Sequence, residues 1–136
     1  MIVRSSIFIM ALLMLAACGG DRTSRERQEA LDGWEHRVRW SVYDSLVDFI
    51  HPEWLEENPI SELDLERLHQ FRITEYRVRA ILAHPDGEGL DRRTRIRMVN
   101  IHTQRERIID HTEVWRYDED LKRWLLHSGL PDPRRY

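Results

Sequence analysis

The chain has 136 residues, a formal net charge of −3 and a single cysteine, Cys18. A net charge so close to neutrality argues against a general nucleic-acid binder, and one cysteine cannot supply a C-x-x-C metal framework. The length is sufficient for one domain with a core of its own.

The first 17 residues have the composition of a secretory signal. Arg4 is the only charged side chain before residue 7, and residues 7–17 form an apolar run that ends in small residues directly before Cys18. A bilayer-spanning helix needs ~20 apolar residues, so this run predicts a cleaved leader. Loss of Arg4 with the leader leaves 119 residues with a formal charge of −4.

The end of this leader, Leu15-Ala16-Ala17-Cys18, resembles the lipobox of bacterial lipoproteins. The resemblance implies cleavage between Ala17 and Cys18, a diacylglyceryl group on the Cys18 sulfur, and an acyl chain such as palmitate on the new amino terminus. Two or more acyl chains hold a protein stably on a membrane. Gly19, rather than Asp, follows the cysteine, which by the same resemblance implies the outer membrane, with the domain facing the periplasm. The alternative is an ordinary secretory signal with an unpaired cysteine.

The mature chain is predicted to begin with a polar tether, residues 18–27, which could span about 30 Å if extended at ~3.3 Å per residue. A single domain follows over residues 28–136. Apolar residues recur at threes and fours from Gln28 to Ile50, which predicts one long helix with a wide apolar face. Pro52 is predicted to end this helix, because a proline ring removes a donor and disfavours helical geometry in the residue before it.

A short helix and four strands are predicted to follow. Ser61 and Asp64 resemble a capping box, which predicts a helix over residues 61–70. After Phe71 the period of the apolar residues changes from 3.6 to 2, which indicates strands. The predicted strands cover Glu75 to Leu82, Arg92 to Gln104, Arg107 to Tyr117, and Lys122 to Ser128.

Two details of these strands are also predicted. In the second strand Ile96 and Met98 share one phase whereas Val99 and Ile101 share the other, which favours a β-bulge there. In the last hairpin, the side of the third strand from Trp115 to Tyr117 is expected to face the side of the fourth strand from Trp124 to Leu126, an aromatic arrangement that stabilises such pairs.

The layout of helices followed by antiparallel strands resembles the nuclear transport factor 2-like superfamily. The segments that carry the resemblance are LVDFIHPEWL (46–55), ISELDLERLHQF (60–71) and EVWRYDEDLKRWLLHSGLPD (113–132). It implies an α+β fold in which amino-terminal helices pack into the concave side of a bent antiparallel sheet of four or more strands. The alternative is another fold in which helices cover an antiparallel sheet.

Catalytic candidates are few. His111 and Glu113 stand two residues apart in a predicted strand and would share one face, so they could form an acid–base pair in a cone-shaped pocket. His102 and His127 lie on neighbouring predicted strands. A cone-shaped fold could bring three further residues near these histidines: Tyr43, Asp44 and Asp110. No catalytic motif, metal framework or cofactor-binding loop is present in the sequence, so no metal or cofactor is expected.

Five arginines form a second pattern. They repeat at every second residue of two neighbouring predicted strands, so each set projects from one face, and pairing of the strands would bring the sets together. The set is Arg77, Arg79, Arg93, Arg95 and Arg97. One interpretation is a docking surface for an anionic envelope ligand or partner protein. The other is a solvated face on which Glu75, Glu106 and Glu113 neutralise the arginines.

Two functions of different class follow. The first is a lipid-anchored envelope protein that acts as a non-catalytic binding module. The second is a small lyase-like or isomerase-like enzyme that uses a His and carboxylate pair. A cone that is filled by Trp34, Phe49 and Trp124 would argue against the enzyme.

Overall fold

The computed structural model describes the backbone of residues 18–135 and the side chains of residues 23–135. The predicted leader, 1–17, lies outside the described residues, and Cys18 is described only as the first residue of a helix. The helical elements are α1 (Cys18–Arg39), a 3₁₀ helix (Asp44–Phe49), α2 (Pro52–Glu57) and α3 (Glu62–His69). The strands are β1 (Phe71–Ala83), β2 (Gly89–Asn100), β3 (Glu106–Asp118) and β4 (Arg123–Leu126). The fold is therefore α+β, with helices followed by a four-stranded antiparallel sheet in the order β1-β2-β3-β4.

Helix α1 begins earlier than the sequence predicts. It starts at Cys18 rather than Gln28, so the predicted tether, 18–27, is helical and continuous with the helix of the domain. At ~1.5 Å per residue this segment spans about 15 Å rather than the ~30 Å of an extended chain. A helix that continues without a break holds the domain at a more defined distance from Cys18 than a flexible tether would.

The same helix also ends earlier, and the prediction of one helix from Gln28 to Ile50 is wrong. α1 ends at Arg39, and Ser41 has a φ of 58°, in the left-handed region that ends helices. Trp40 and Val42 at this turn are exposed, whereas Tyr43 just after it is buried. The chain leaves the helix because the turn brings the next apolar residues back onto the sheet.

Pro52 begins a helix rather than ending one. It is the first residue of α2, where the missing amide of proline costs no hydrogen bond, and the His51 Nδ1 atom accepts a hydrogen bond from the Glu53 amide. Ile50, two residues before Pro52, forms a parallel β-bridge with Leu126, the last residue of β4. The predicted capping box of α3 is confirmed, since Ser61 and Asp64 bond reciprocally.

The predicted bulge lies in a different strand. β2 keeps one register with β3 along its whole length, and it ends at Asn100, so Val99 and Ile101 mark its end rather than a slip. The register shifts are in β1, one between Ile73 and Glu75 and one between Val78 and Ala80. Bulges increase the local twist of a strand, which curves the sheet.

The core lies between the inner face of the sheet and α1. The helix crosses the sheet, because the Arg27 guanidinium lies over the Trp124 ring of β4, while the Arg39 side chain donates to the Tyr76 carbonyl of β1. The aromatic hairpin is confirmed, with Trp115 opposite Leu126 and Tyr117 opposite Trp124. The inner face of the sheet is thus closed by one helix and by large aromatic side chains.

Candidate functional site

The inner face of the sheet contains a buried carboxylate with four hydrogen-bond donors. Glu113 on β3 is completely buried. Its Oε1 atom accepts from the Trp34 indole at 3.0 Å and from the Tyr76 hydroxyl. Its Oε2 atom accepts from Arg92 Nε at 2.7 Å and from the Trp115 indole at 3.0 Å. Charged hydrogen bonds of this kind are the strong ones in proteins, and here they hold both carboxylate oxygens.

Arg92 is the counter-ion of this carboxylate, and it is engaged on its other side as well. Its Nη2 atom donates to the Tyr76 hydroxyl at 2.8 Å and to the Leu31 carbonyl at 3.4 Å. Burial lowers the pKa of Arg92, but the attraction and hydrogen bond of Glu113, together with Tyr76 and Glu35, raise the pKa overall. Burial and then the charge of Glu113 raise the pKa of Tyr76, so its hydroxyl keeps its proton and donates it. The cluster ties α1, β1, β2 and β3 together.

Aromatic side chains fill the space around this cluster. Trp34 and Trp115 are fully buried and Trp124 nearly so, while Phe49 is partly buried against them. The Trp34 ring meets Phe49 edge-on at 5.9 Å and Trp115 edge-on at 6.0 Å between ring centroids. The interior therefore holds protein side chains where an acid–base enzyme of this layout would hold its substrate, which argues against the enzyme hypothesis.

His111 shares the inner face with Glu113, as the sequence predicts, but no hydrogen bond joins the two side chains. The four donors to the Glu113 carboxylate come from other residues, and the His111 ring stacks on Trp34 at 6.5 Å. The His111 Nε2 atom is buried without a hydrogen-bond partner. Burial lowers the pKa of His111, so the ring is neutral at pH 7. The residue lines a groove of about 450 Å³ beside the carboxy-terminal segment.

The other residues considered for this site are dispersed. The Tyr43 hydroxyl donates to the Phe71 carbonyl, and Asp44 bonds to His69 on α3. Asp110 lies on the outer face of β3, where it pairs with Arg95. His102 is exposed in the turn after β2. The expected shared cone is therefore not formed, because these side chains lie on different elements and bind different partners.

A histidine pair that the sequence did not indicate lies at the β4 edge. The rings of His51 and His127 stack at 4.6 Å, and His51 Nε2 bonds to Asp118 at 2.8 Å. Because His51 Nδ1 accepts from the Glu53 amide, its Nε2 carries the proton and donates it to Asp118. Both nitrogens of His51 are thereby used in holding α2 against β3, which leaves neither for chemistry.

The outer face of the sheet carries the arginines together, as predicted. Arg77 on β1 lies opposite Arg95 on β2, and Glu75 lies opposite Arg97. Arg93 lies opposite Ala80, immediately after the bulge at Arg79. The five arginines of this surface, hereafter the arginine surface, are Arg77, Arg79, Arg93, Arg95 and Arg97.

Carboxylates neutralise part of the arginine surface. Arg95 binds both oxygens of Asp110, at 2.8 and 3.0 Å. Arg97 pairs with Glu75 and Glu106, as one interpretation of the sequence predicts. Arg77 also pairs with Glu75. Glu113 does not take part, because it lies on the inner face.

Two members of the surface are left without partners. Arg79 and Arg93 are exposed, and neither guanidinium forms an ion pair or hydrogen bond in the part of the chain that the structure describes. The hydrogen bond from Arg95 and, to a smaller extent, the charge of Arg79 lower the pKa of Asp110. Together with Arg95 they line a hollow of about 260 Å³ on the outer face. Guanidinium groups that are exposed, adjacent and unpaired are available to a carboxylate or phosphate from outside.

The sequence reasoning missed Arg92, although a signal for it exists. Arg92 stands in phase with Leu90, Thr94 and Ile96 in β2, and all four are buried. The neighbouring odd positions carry the exposed arginines. An arginine in the apolar phase of a strand needs a buried anion, and Glu113 in the apolar phase of the next strand is its complement.

Neither a metal site nor a membrane-spanning helix is found where the structure is described. Within residues 23–135, no three His, Cys, Asp or Glu side chains are grouped so that they could hold a metal ion. The described helices include none that is both long enough and apolar enough to cross a bilayer.

Comparison with protein-family models, with curated proteins and with solved structures finds no match in any of the three. The geometry of the inner cluster and of the arginine surface is therefore what bears on function.

Proposed function

We propose that this chain is a lipid-anchored protein of the bacterial cell envelope whose domain binds an anionic partner through its arginine surface, without catalysis. The observation that carries the proposal is the pair Arg79 and Arg93, exposed side by side without partners. Planar guanidinium groups bind carboxylate and phosphate oxygens in a bidentate manner, as Arg95 already binds Asp110 on the same surface.

The anchor is part of the same proposal. The lipobox resemblance at Leu15-Ala16-Ala17-Cys18 supports acylation of Cys18 after cleavage behind Ala17. Gly19 supports delivery to the outer membrane, with the domain in the periplasm. The arrangement of helices across an antiparallel sheet supports membership of the nuclear transport factor 2-like superfamily, many of whose members bind rather than catalyse. The partner is an envelope protein or an anionic envelope ligand rather than nucleic acid.

The structure favours binding over the enzyme alternative on two grounds. The interior carries Trp34, Trp115 and Phe49 in mutual ring contact, so the inner face is occupied. Both oxygens of the Glu113 carboxylate are engaged by donors from the protein, including the Arg92 guanidinium. A general base must reach a substrate proton, and this carboxylate is completely buried.

A binding experiment tests the arginine surface. We expect fluorescein-labelled polyglutamate to bind the full chain in detergent micelles with an affinity that falls as salt rises, because the contacts are ionic. The double variant Arg79→Ser/Arg93→Ser should lose most of this binding. The matched control is Arg25→Ser/Arg105→Ser, which removes the same charge from two other exposed arginines. Equal binding by both double variants would overturn the proposal for this surface.

Labelling in cells tests the anchor separately. Radioactive palmitate should be incorporated into the wild-type protein and not into Cys18→Ser. Membrane fractions separated by density should then place the wild-type protein in the outer membrane. Equal labelling of the two proteins would refute lipidation, whereas labelled protein in the inner membrane would refute only the sorting.

A further inference from the structure

The edge of the sheet at β1 is covered over only half of its length. β1 is the first strand in the sheet, so one side of it has no neighbouring strand. In its first half the Ile73 amide donates to the Ser41 hydroxyl at 3.1 Å, and the Tyr76 carbonyl accepts from Arg39 at 2.9 Å. In the described part of the chain, residues 77–83 pair with β2 alone. Within the described residues, no second strand pairs with their outward backbone groups.

The side chains of this free segment combine apolar surface with positive charge. Val78, Ile81 and Leu82 are 36%, 59% and 47% exposed. Arg77 and Arg79 stand among them and are also exposed. Exposed apolar side chains on a long free strand edge are unusual, because such an edge pairs readily with other chains. The segment therefore has the features of a strand-docking site.

We infer that the free edge of β1, residues 77–83, binds an extended acidic segment of a partner protein, which adds to the sheet as a further strand. The inference rests on the proposed function, because the arginine surface supplies the charge that selects the partner. Added strands gain affinity from main-chain hydrogen bonds and specificity from alternate side chains. Carboxylates on one side of the added strand would meet Arg79, with the charge of Arg93 one strand further in, while apolar residues on the other side would cover Val78 and Ile81.

Charge also argues against a second copy of the chain as the occupant. Two β1 edges would bring Arg77 and Arg79 of both copies to one interface, and like charges there are destabilising. An acidic strand relieves the repulsion that a second copy would add.

The position of the edge fits a partner protein rather than the anchoring bilayer. Cys18 and the edge stand at opposite ends of α1, since Arg39 at the far end contacts Tyr76, directly before the free segment. At ~1.5 Å per residue, the helix is about 33 Å long. A protein in the periplasm can reach this end of the domain without approaching the membrane.

Synthetic peptides test the inference on the full chain in detergent micelles. The first is a fluorescein-labelled peptide in which Glu and Val alternate over the length of the free segment. The second has the same sequence with alternate amides methylated, which keeps the charge but removes backbone donors. The third replaces Glu with Lys. We expect the first to bind and the second to bind about tenfold more weakly, because several backbone hydrogen bonds are lost. The third should not bind.

Hydrogen exchange locates the bound peptide. The amides of residues 77–83 should gain protection from exchange when the first peptide is added. The Arg79→Ser/Arg93→Ser variant should lose this protection, whereas the control Arg25→Ser/Arg105→Ser should keep it. If the methylated peptide binds equally well and residues 77–83 gain no protection, edge pairing is overturned. The proposed function would still stand in that case, provided that polyglutamate binding depends on Arg79 and Arg93. Loss of that dependence would overturn the proposed function itself. If the protein sediments as a dimer and residues 77–83 are protected without peptide, the edge binds a second copy of the chain and the acidic partner is ruled out.

Discussion

Arg92 and Arg93 are neighbours in β2, yet they illustrate two opposite uses of arginine. Arg92 points to the inner face, is 3% exposed, and binds Glu113, Tyr76 and the Leu31 carbonyl. Arg93 points to the outer face, is exposed, and has no partner in the described residues. The alternation of a strand is enough to place one guanidinium in the core and the next in solvent.

The difference between Arg92 and Arg93 indicates that the inner face of the sheet serves stability and the outer face serves recognition. A buried charge must be matched within the protein, so the inner cluster is complete and has nothing to offer a ligand. An exposed charge costs little to leave unmatched, so the outer face can keep free guanidinium groups for a partner. Substitutions on the two faces should therefore separate folding from binding.

The largest effect is expected from Glu113→Ala. Removal of the carboxylate takes away the hydrogen-bonded counter-ion of Arg92, which keeps the more distant Glu35 carboxylate at 3.6 Å, and leaves two indole donors without acceptors. We expect a loss of about 3–5 kcal/mol in the free energy of unfolding, measured by urea denaturation at pH 7. On the outer face, Asp110→Ala removes the partner of Arg95 in solvent and should leave the urea midpoint almost unchanged. Similar losses in the two variants would remove the distinction between the faces.

A smaller loss is expected from Trp34→Phe. The ring is retained in the core, but the indole donor to Glu113 is lost, and the smaller side chain leaves a space beside Phe49. We expect a loss of about 1–3 kcal/mol, since one hydrogen bond to a charged group and part of a ring are removed. Thermal unfolding followed by tryptophan fluorescence at several urea concentrations measures it. A variant as stable as the wild type would show that the indole contact contributes nothing to the cluster.

The third prediction concerns acid stability. Burial lowers the pKa of His111, and the charges of Arg135 and Arg92 lower it further, while Glu113 opposes them. The unfolded chain therefore binds a proton more readily, so stability is complete above a pH of about 6.5 and is lost as the pH falls below it. His127 contributes with the same sign. His111→Phe keeps a ring on Trp34 and should flatten this acid limb, as measured by urea midpoints between pH 7 and pH 5. An unchanged slope would show that His111 does not titrate on unfolding.

Much of this architecture is readable from the sequence, because it depends on local rules. The capping box of Ser61 and Asp64, the aromatic hairpin around Trp115 and the shared face of the arginines follow from spacing alone. The break after Arg39 is not readable, since Ser41 adopts a positive φ that serine rarely adopts and the apolar spacing continues into the 3₁₀ helix. Tertiary packing decides that turn.

The candidate site is readable only in part for a related reason. The sequence indicates that His111 and Glu113 share a face, but not that Arg92 is near enough to occupy the carboxylate. That contact depends on the register between β2 and β3, which pairs Arg92 with Glu113 directly. The bulges of β1 likewise decide which residues of 77–83 face outward, and no turn residue or glycine marks them. Register is a property of two strands, so one strand's pattern does not contain it.

The smallest effect on folding is expected from Arg79→Ser/Arg93→Ser, and it completes the comparison of the two faces. Neither guanidinium forms a hydrogen bond or ion pair within the described residues, so only a weak, solvent-screened attraction of Arg79 to Asp110 and the mutual repulsion of the arginines are lost. We expect a urea midpoint equal to or slightly above that of the wild type, together with the loss of polyglutamate binding. Arg92→Ser, one residue before Arg93 in β2, should lower the urea midpoint and keep polyglutamate binding, because it leaves Glu113 buried without its counter-ion. A clear destabilisation of the outer-face variant would mean that these arginines hold the sheet together, and the free positive charge could then not be assigned to a partner.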